Sequence, residues 1–356
     1  ADIINTAITV RDIPMENIKR NKNKILILLI IIVCAVTVKL LLFTDNKNAE
    51  QKEEDLKEAM STEQHPEITE GSETFAFFGV DSRSNQIGKG TRSDSIMVAN
   101  VNHETKEIKV ASIYRDTYVD IDGHGLDKIT HAHSYGGPVL AMDTLNRNFD
   151  LDIDKYITVN FGNVAEVVDD IGGIELDITS SEVKYINKYI DEINKVDKTN
   201  SAHITAAGTQ KVDGTQAVAY SRIRYTAGGD YKRAERQRTV LFKIFEAAKK
   251  QSTAKLLKIV DKMMGQIGTN YSSGEVIEVL SYLAKYNMEE TKGFPNRLWG
   301  GTIDGTWYAV PVTLESNAKA LHSYLYGDED YEPSDKVKEI SSEIEKVAST
   351  PNEELE

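Results

Sequence analysis

The chain has 356 residues, 40% of them hydrophobic and 28% charged, with a formal net charge of −14. That length supports a sizeable core, while the acidity excludes a general nucleic-acid binder, whose surface must be basic to displace counterions from phosphates. One cysteine, Cys34, excludes an intrachain disulfide framework or a cysteine-rich metal cage.

Residues 1–24 form a short basic segment with Arg11, Lys19, Arg20, Lys22 and Lys24. The stretch that follows, Ile25 to Phe43, is apolar except for Lys39 and spans about 27 Å as a helix, close to the ~30 Å hydrocarbon core of a bilayer. The basic flank and the absence of an A-x-A-type cleavage site predict an uncleaved single-pass anchor with a cytoplasmic N-terminus. Everything beyond it is then extracytoplasmic, at the cell membrane. Residues 44–73 are charged and poor in aromatics, as expected of a linker.

Order is predicted to begin at Thr74 to Val80, an apolar run that reads as a buried strand. Two further strands, marked by Ile96, Val98 and Val101 and by Ile108, Val110 and Ile113, follow across a polar loop. "GGPVLAMDTLNRNF" has helical spacing and opens at Gly136, Gly137 and Pro138; "KYITVNF" is a strand; "GNVAEVVDDIGG" is a helix ended by Gly172 and Gly173; "IELDI" is another strand. Helical patterns recur over 234–250, 254–266 and 274–286. "GTWYAVPV" reads as a late edge strand, because Pro311 lacks a ladder donor. Helices alternating with strands over about 250 residues argue for one layered α/β domain. The acidic residues 327–356 read as a disordered tail.

Three stretches join turn signals to arginine and aspartate. In "GVDSRSNQIGKGTRSDS", Asp81 and Arg83 follow a strand and Arg92 and Asp94 lead into the next. Two carboxylates at the ends of one loop suit a hard cation such as Mg²⁺, or Mn²⁺ in its place; the competing reading pairs them with Arg83 and Arg92. "SIYRDT" sets Arg115 and Asp116 at a strand end, where α/β folds place ligand-facing groups. "YSRIRYTAGGDYKRAERQRTV" holds five of the twelve arginines in a chain with thirty lysines. On an extended backbone Arg222 and Arg224 point to one side, and Arg233, Arg236 and Gln237 share a helix face. Guanidinium forks near a helix N-terminus make a phosphate site. "HAH" at His131 to His133 reads as a helix-opening segment rather than a metal site, and no Walker loop or nucleophile elbow occurs.

The ordered set "FFGVDSR", "TRSDS", "SIYRDT", "HAHSYGG", "VVDDIGGIELDI", "AVAYSRIRY" and "GGDYKRAERQR" resembles the LytR–CpsA–Psr family, with the match running from about Thr74 to Lys250 and on to about residue 326. The resemblance implies a three-layer α/β/α domain with a central mixed sheet over 74–326 and a hydrophobic tunnel for a polyprenyl chain. It implies transfer of an anionic glycopolymer, of teichoic acid or capsule type, from a polyprenyl (pyro)phosphate carrier to a peptidoglycan sugar hydroxyl. Asp81 and Asp94 match the Mg²⁺-associated aspartates. Arg83, Arg92, Arg115, Arg222, Arg224, Arg233 and Gln237 match the pyrophosphate cluster, with Arg115, Asp116, Arg222 and Arg224 as catalytic candidates. Asp116 stands as a candidate base or as a positioner of Arg115, and Asp230 as a family-typical acidic position. Tyr114 departs from the pattern, in which proline often precedes the Arg–Asp pair. A lipid-pyrophosphate hydrolase and a non-catalytic polyanion-binding module are the competing readings.

Overall fold

The computed structural model describes residues 71–82, 87–263, 265–272, 285–288 and 291–347. The expected anchor, the expected linker up to residue 70, Arg83 and most of the 274–286 helix lie outside the described residues, and Ser72 and Glu73, expected in the linker, already belong to the first strand. Among the described residues, no helix is long and apolar enough to cross a membrane.

The apolar runs predicted as strands build a mixed sheet. In chain order β1 is Ser72–Val80, β2 Ser93–Asn102 and β3 Glu107–Ile113, followed by a small hairpin of β4, Tyr118–Ile121, and β5, Gly125–Lys128. Helix α1, Ile129–Phe149, leads to β6, Lys155–Asn160, and α2, Phe161–Ile171, to β7, Ile174–Ile178. Then come α3, Ser180–Asp197, β8, Gly208–Val212, α4, Gly214–Ser221, α5, Gly229–Ala248, and α6, Thr253–Met263. Short strands β9, Gly268–Thr269, β10, Asn287–Met288, and β11, Lys292–Phe294, precede a hairpin of β12, Leu298–Ile303, and β13, Thr306–Pro311. Helices α7, Leu314–Tyr326, and α8, Asp335–Val347, close the described chain.

The sheet order is β10-β3-β2-β1-β6-β9, with β11 also on β3. β1 is antiparallel to β2 but parallel to β6, so β1 sits at the centre and needs apolar side chains on both faces. Its sequence supplies them alternately. Phe75 and Phe77 join one core with α2 to α6, while Ala76 and Phe78 join a second with α1, α7 and α8. This is the layered α/β domain expected from the alternating pattern, in the three-layer form that the family resemblance implies. Gly172 ends α2 at φ 97°, a left-handed value that glycine adopts without strain. The helix expected to open at Gly136 starts earlier, at Ile129, and Gly137 (φ 73°) marks a kink before Pro138.

The tail is a correction. Residues 335–347, expected to be disordered, form α8, which buries Val337, Ile340 and Ile344 in the second core. Spacing of i, i+3 and i+7 puts these three on one face, so a sparse apolar content still docks a helix. The Asp150 carboxylate anchors the approach, accepting from the Ser334 N–H at 2.7 Å, the Ser334 hydroxyl at 2.6 Å and the Tyr331 hydroxyl. Ile340→Ala is expected to cost about 2–5 kcal/mol in urea unfolding. An unchanged midpoint would mean that α8 contributes no packing.

Candidate active site

The local cause of the site is a slip in the sheet. Gly79 pairs with Ser95 and Val80 with Ser93, so Asp94 is left without a partner in the β1–β2 ladder. Such bulges re-aim one side chain, and here it is a carboxylate at the strand end. Arg115, just past the end of β3, donates to Asp94 Oδ1 at 2.7 Å. Arg224 Nη2 lies 3.4 Å from Asp94 Oδ2, and Arg233 Nη2 donates to the Asp94 carbonyl at 3.1 Å. Asp230 interleaves: its carboxylate accepts from Arg233 at 2.9 Å and stands 3.5 Å from both Arg224 Nε and Arg115 Nε. Asp116 stands 3.5 Å from Arg115 Nε and pairs with Lys128 Nζ at 2.9 Å.

Four cations and three carboxylates therefore form one connected network. Burial works against the charge of Arg115, yet Asp94, Asp230 and Asp116 together hold its pKa above the usual guanidinium value. Burial likewise raises the Asp230 pKa, against the opposing pull of Arg115 and Arg224. The Nε atoms of Arg115 and Arg233 are buried without a hydrogen-bond partner, unused donors facing the network.

Of the residues singled out in the sequence, Asp94, Arg115, Asp116, Arg224, Asp230 and Arg233 meet here. Arg92 is exposed. Gln237, one turn beyond Arg233, lines an apolar cavity of about 60 Å³ between the sheet and helices α2 and α5, with Phe77, Ser95, Phe161, Val240 and Leu241. Leu256, Ile259 and Val260 of α6 belong to the first core and do not line that cavity.

Arg222 and Arg224 are not a strand pair. Arg222 is the C-cap of α4, and Arg224 lies in the loop to α5, so strand alternation does not relate them. Arg222 lies between the rings of Phe161 and Tyr189, 5.5 and 5.0 Å from their centroids, with Glu192 3.9 Å away. It lines a groove of about 520 Å³ that also holds Asp81, Asn160 and Glu192. Helix α5 starts five residues before the expected Ala234, because Gly228 (φ 89°) turns the chain into it and Asp230 occupies its first turn.

Asp81 leaves β1 at the same sheet end where Asp94 enters β2, and its side chain is exposed. Among the described residues, no group of three or more His, Cys, Asp or Glu is arranged to hold a metal. Asp81 lines the groove beside Arg222, whereas the two Asp94 carboxylate oxygens face arginines, Oδ1 Arg115 and Oδ2 Arg224.

Lys128 was missed by the sequence reading. Nothing in its local spacing marks it, since it reaches Asp116 only when the β4–β5 hairpin folds back. Arg236 and Arg238 are both buried. Arg236 binds Glu182 at 2.7 Å, the Ile223 carbonyl at 3.0 Å and the Thr226 hydroxyl at 2.7 Å, tying the arginine loop to α3. Burial raises the Glu182 pKa, but the Thr179 N–H and Arg236 outweigh it and hold the carboxyl below its ordinary range. Burial lowers the pKa of Arg238, whose Nε donates to the Thr291 hydroxyl at 3.1 Å.

Residues 38–321 match the LytR_cpsA_psr family. The chain belongs to the LytR–CpsA–Psr family. The polyisoprenyl-teichoic acid–peptidoglycan teichoic acid transferase TagT of Bacillus subtilis is 32% identical over 230 residues, 63% of this chain and 69% of that protein. The corresponding TagU of Enterococcus faecalis is 36% identical over 165 residues, 46% of this chain and about half, 49%, of its own length. Among solved structures, TagT bound to LIIa-WTA superposes with a TM-score of 0.60 at 26% identity, covering 76% of this chain and 98% of that one. The family protein YwtF (TagT) with bound octaprenyl pyrophosphate lipid gives 0.55 at 25% identity, covering 74% and 95%.

Two predictions separate scaffold from site. Glu182→Ala should cost about 3–5 kcal/mol, because it strands the Arg236 charge in the interior; replacing both by apolar residues of similar volume should recover most of it. An unaltered unfolding midpoint in Glu182→Ala would refute a scaffold role. His133, whose Nδ1 donates to the Thr91 carbonyl at 2.9 Å, has its pKa lowered by burial to about 4 from 6.5. The unfolded chain binds that proton more readily, so the contribution is fully present above pH 6.5 and is lost as pH falls towards 4. The loss amounts to roughly 3 kcal/mol. His133→Gln should flatten the stability profile across that interval; parallel profiles would refute it.

Proposed function

We propose that the protein attaches an anionic glycopolymer, carried on a polyprenyl (pyro)phosphate, to a peptidoglycan sugar hydroxyl. It is an enzyme, a glycopolymer transferase of its family. The observation carrying the reading is the network of Arg115, Arg224 and Arg233 around Asp94 and Asp230, beside an apolar cavity. Ser95 and Gln237, which line the cavity, are chain neighbours of Asp94 and helix-face neighbours of Arg233. A lipid pyrophosphate has the matching composition, two phosphates joined to an apolar chain. The octaprenyl pyrophosphate held by a structural relative supports the same donor class.

Phosphoryl transfer asks the protein mainly to neutralise charge and align reactants. Arg115, Arg224 and Arg233 bind non-bridging oxygens, exchanging carboxylate partners for phosphate ones. Arg92 and Arg222 extend positive charge to either side, with Arg83 as a further sequence-based candidate. Asp81 and Asp94 would hold Mg²⁺ (or Mn²⁺), which supplies additional charge neutralisation at the diphosphate. The acceptor oxygen forms a bond to the phosphorus that carries the polymer. The bond from that phosphorus to the bridging oxygen breaks, polyprenyl phosphate departs, and Asp116 takes the hydroxyl proton. The apolar segment 25–43 would tether the domain to the outer face of the cell membrane, where lipid-linked donor and wall acceptor meet.

Arg224 is the member best suited to a test, because its side chain is 40% exposed and contributes little to the core. Arg224→Ala should lower kcat/KM for a polyprenyl-linked donor by about 100-fold or more. Arg224→Lys should restore little, since a point charge does not reproduce the planar fork. Unfolding midpoints should stay close to wild type. Full turnover by Arg224→Ala would end the assignment.

A further inference from the structure

The chemistry above accounts for the donor but leaves the acceptor sugar without a seat, and one surface next to Asp116 has the composition for it. The β4–β5 hairpin and the first turns of α1 bring His124, Asp127, His131 and Tyr135 together. The rings of His124 and Tyr135 stack at 4.2 Å with 12° between their planes. Asp127 Oδ2 accepts from the Tyr135 hydroxyl and from His131 Nδ1, both at 2.8 Å, and Oδ1 accepts from the Lys128 N–H at 2.7 Å. Asp127 is thereby saturated, and its pKa is held low by those bonds against the effect of burial. Its role is to fix the two rings. With Nδ1 held on the carboxylate, the ring of His131 presents Nε2 as its second polar atom, and Tyr135 keeps its oxygen lone pairs.

The surface is bolted to the catalytic network. Lys128, adjacent to Asp127 in the chain, reaches Asp116 at 2.9 Å. The Ile129 N–H donates to the Thr117 carbonyl at 2.9 Å and the Thr130 N–H to the Arg115 carbonyl at 3.1 Å. The Thr130 hydroxyl donates to the Ser93 carbonyl at 2.8 Å, next to Asp94. One helix start thus holds the end of β3 and the start of β2 in register with His131 and Tyr135. A partly exposed aromatic pair takes the apolar C–H face of a hexose. The flanking fixed polar atoms take its hydroxyls, and an adjacent carboxylate takes the proton of the one that reacts.

We propose that His124, His131 and Tyr135, with Asp127 as their positioning residue, form the subsite for the hexosamine acceptor glycan. The proposal rests on the transferase reading above. The experiment uses the full chain and two assays. In the first, chitotetraose is titrated as a donor-free hexosamine probe. In the second, polyprenyl-linked donor is turned over with and without glycan acceptor. His124→Ala/Tyr135→Ala should weaken chitotetraose binding at least 10-fold and raise KM for glycan by a similar factor. KM for donor and acceptor-independent donor hydrolysis should stay within twofold of wild type. Tyr135→Phe, which keeps the ring and loses the bond to Asp127, should fall between wild type and the double variant. Unchanged chitotetraose binding and glycan KM in the double variant would overturn the subsite. A parallel loss of donor hydrolysis would also overturn it, as the signature of a damaged site. A wild type that transfers no donor to any glycan would sink the transferase reading itself, and the acceptor role with it.

Discussion

The organisation of this domain turns on sharing one carboxylate among three guanidinium groups. Asp94 sits where the β1–β2 ladder slips, and Arg115, Arg224 and Arg233 reach it from the end of β3, the α4–α5 loop and helix α5. Unscreened, such cations repel by about 4 kcal/mol per pair at about 4 Å and an effective dielectric of about 20. Asp94 and Asp230 interleave with them and turn that repulsion into a lattice of alternating charge. The start of β2, the end of β3 and the contiguous α4–α5 loop and helix α5 are thereby held at one end of the sheet.

A site built this way is preorganised for an anion but does not pay for unbalanced charge while empty. Each arginine already points at an oxygen, so an entering diphosphate substitutes phosphate oxygens for carboxylate ones with little reorientation. The network also lies beside a small apolar cavity, lined by Ser95 next to Asp94 and by Gln237 one turn beyond Arg233. Fold and site meet at a single place, the end of β2, where a central strand of the core becomes the first residue of the network.

Much of this was legible in the sequence because it is local. β1 reads as a strand buried on both faces from its unbroken apolar run, and α2 reads as a helix up to Gly172. The clustering of arginine beside "GGD" marks the site, since lysine would have served for solubility. What was hidden depends on tertiary folding. Lys128 carries no signal until the hairpin returns it to Asp116. Arg236 looks like a ligand-facing residue until Glu182, 54 positions earlier, is seen to bury it. The alternation of Arg222 and Arg224 suggested a strand, but helix α4 ends between Ser221 and Arg222, and the two side chains part company. Helix α8 was obscured by an acidic average that masked three well-spaced apolar residues.

These differences divide the basic island of an acidic protein by function. Arg224 and Arg233 face the carboxylates of the site, whereas Arg222 is laid flat between two rings in the neighbouring groove. Arg236 and Arg238 are buried, and of these Arg236 spends its hydrogen bonds on the scaffold, fixing the loop that carries Arg224. A guanidinium can do both jobs because its fork binds a carboxylate at one position and a phosphate at another with the same planar geometry.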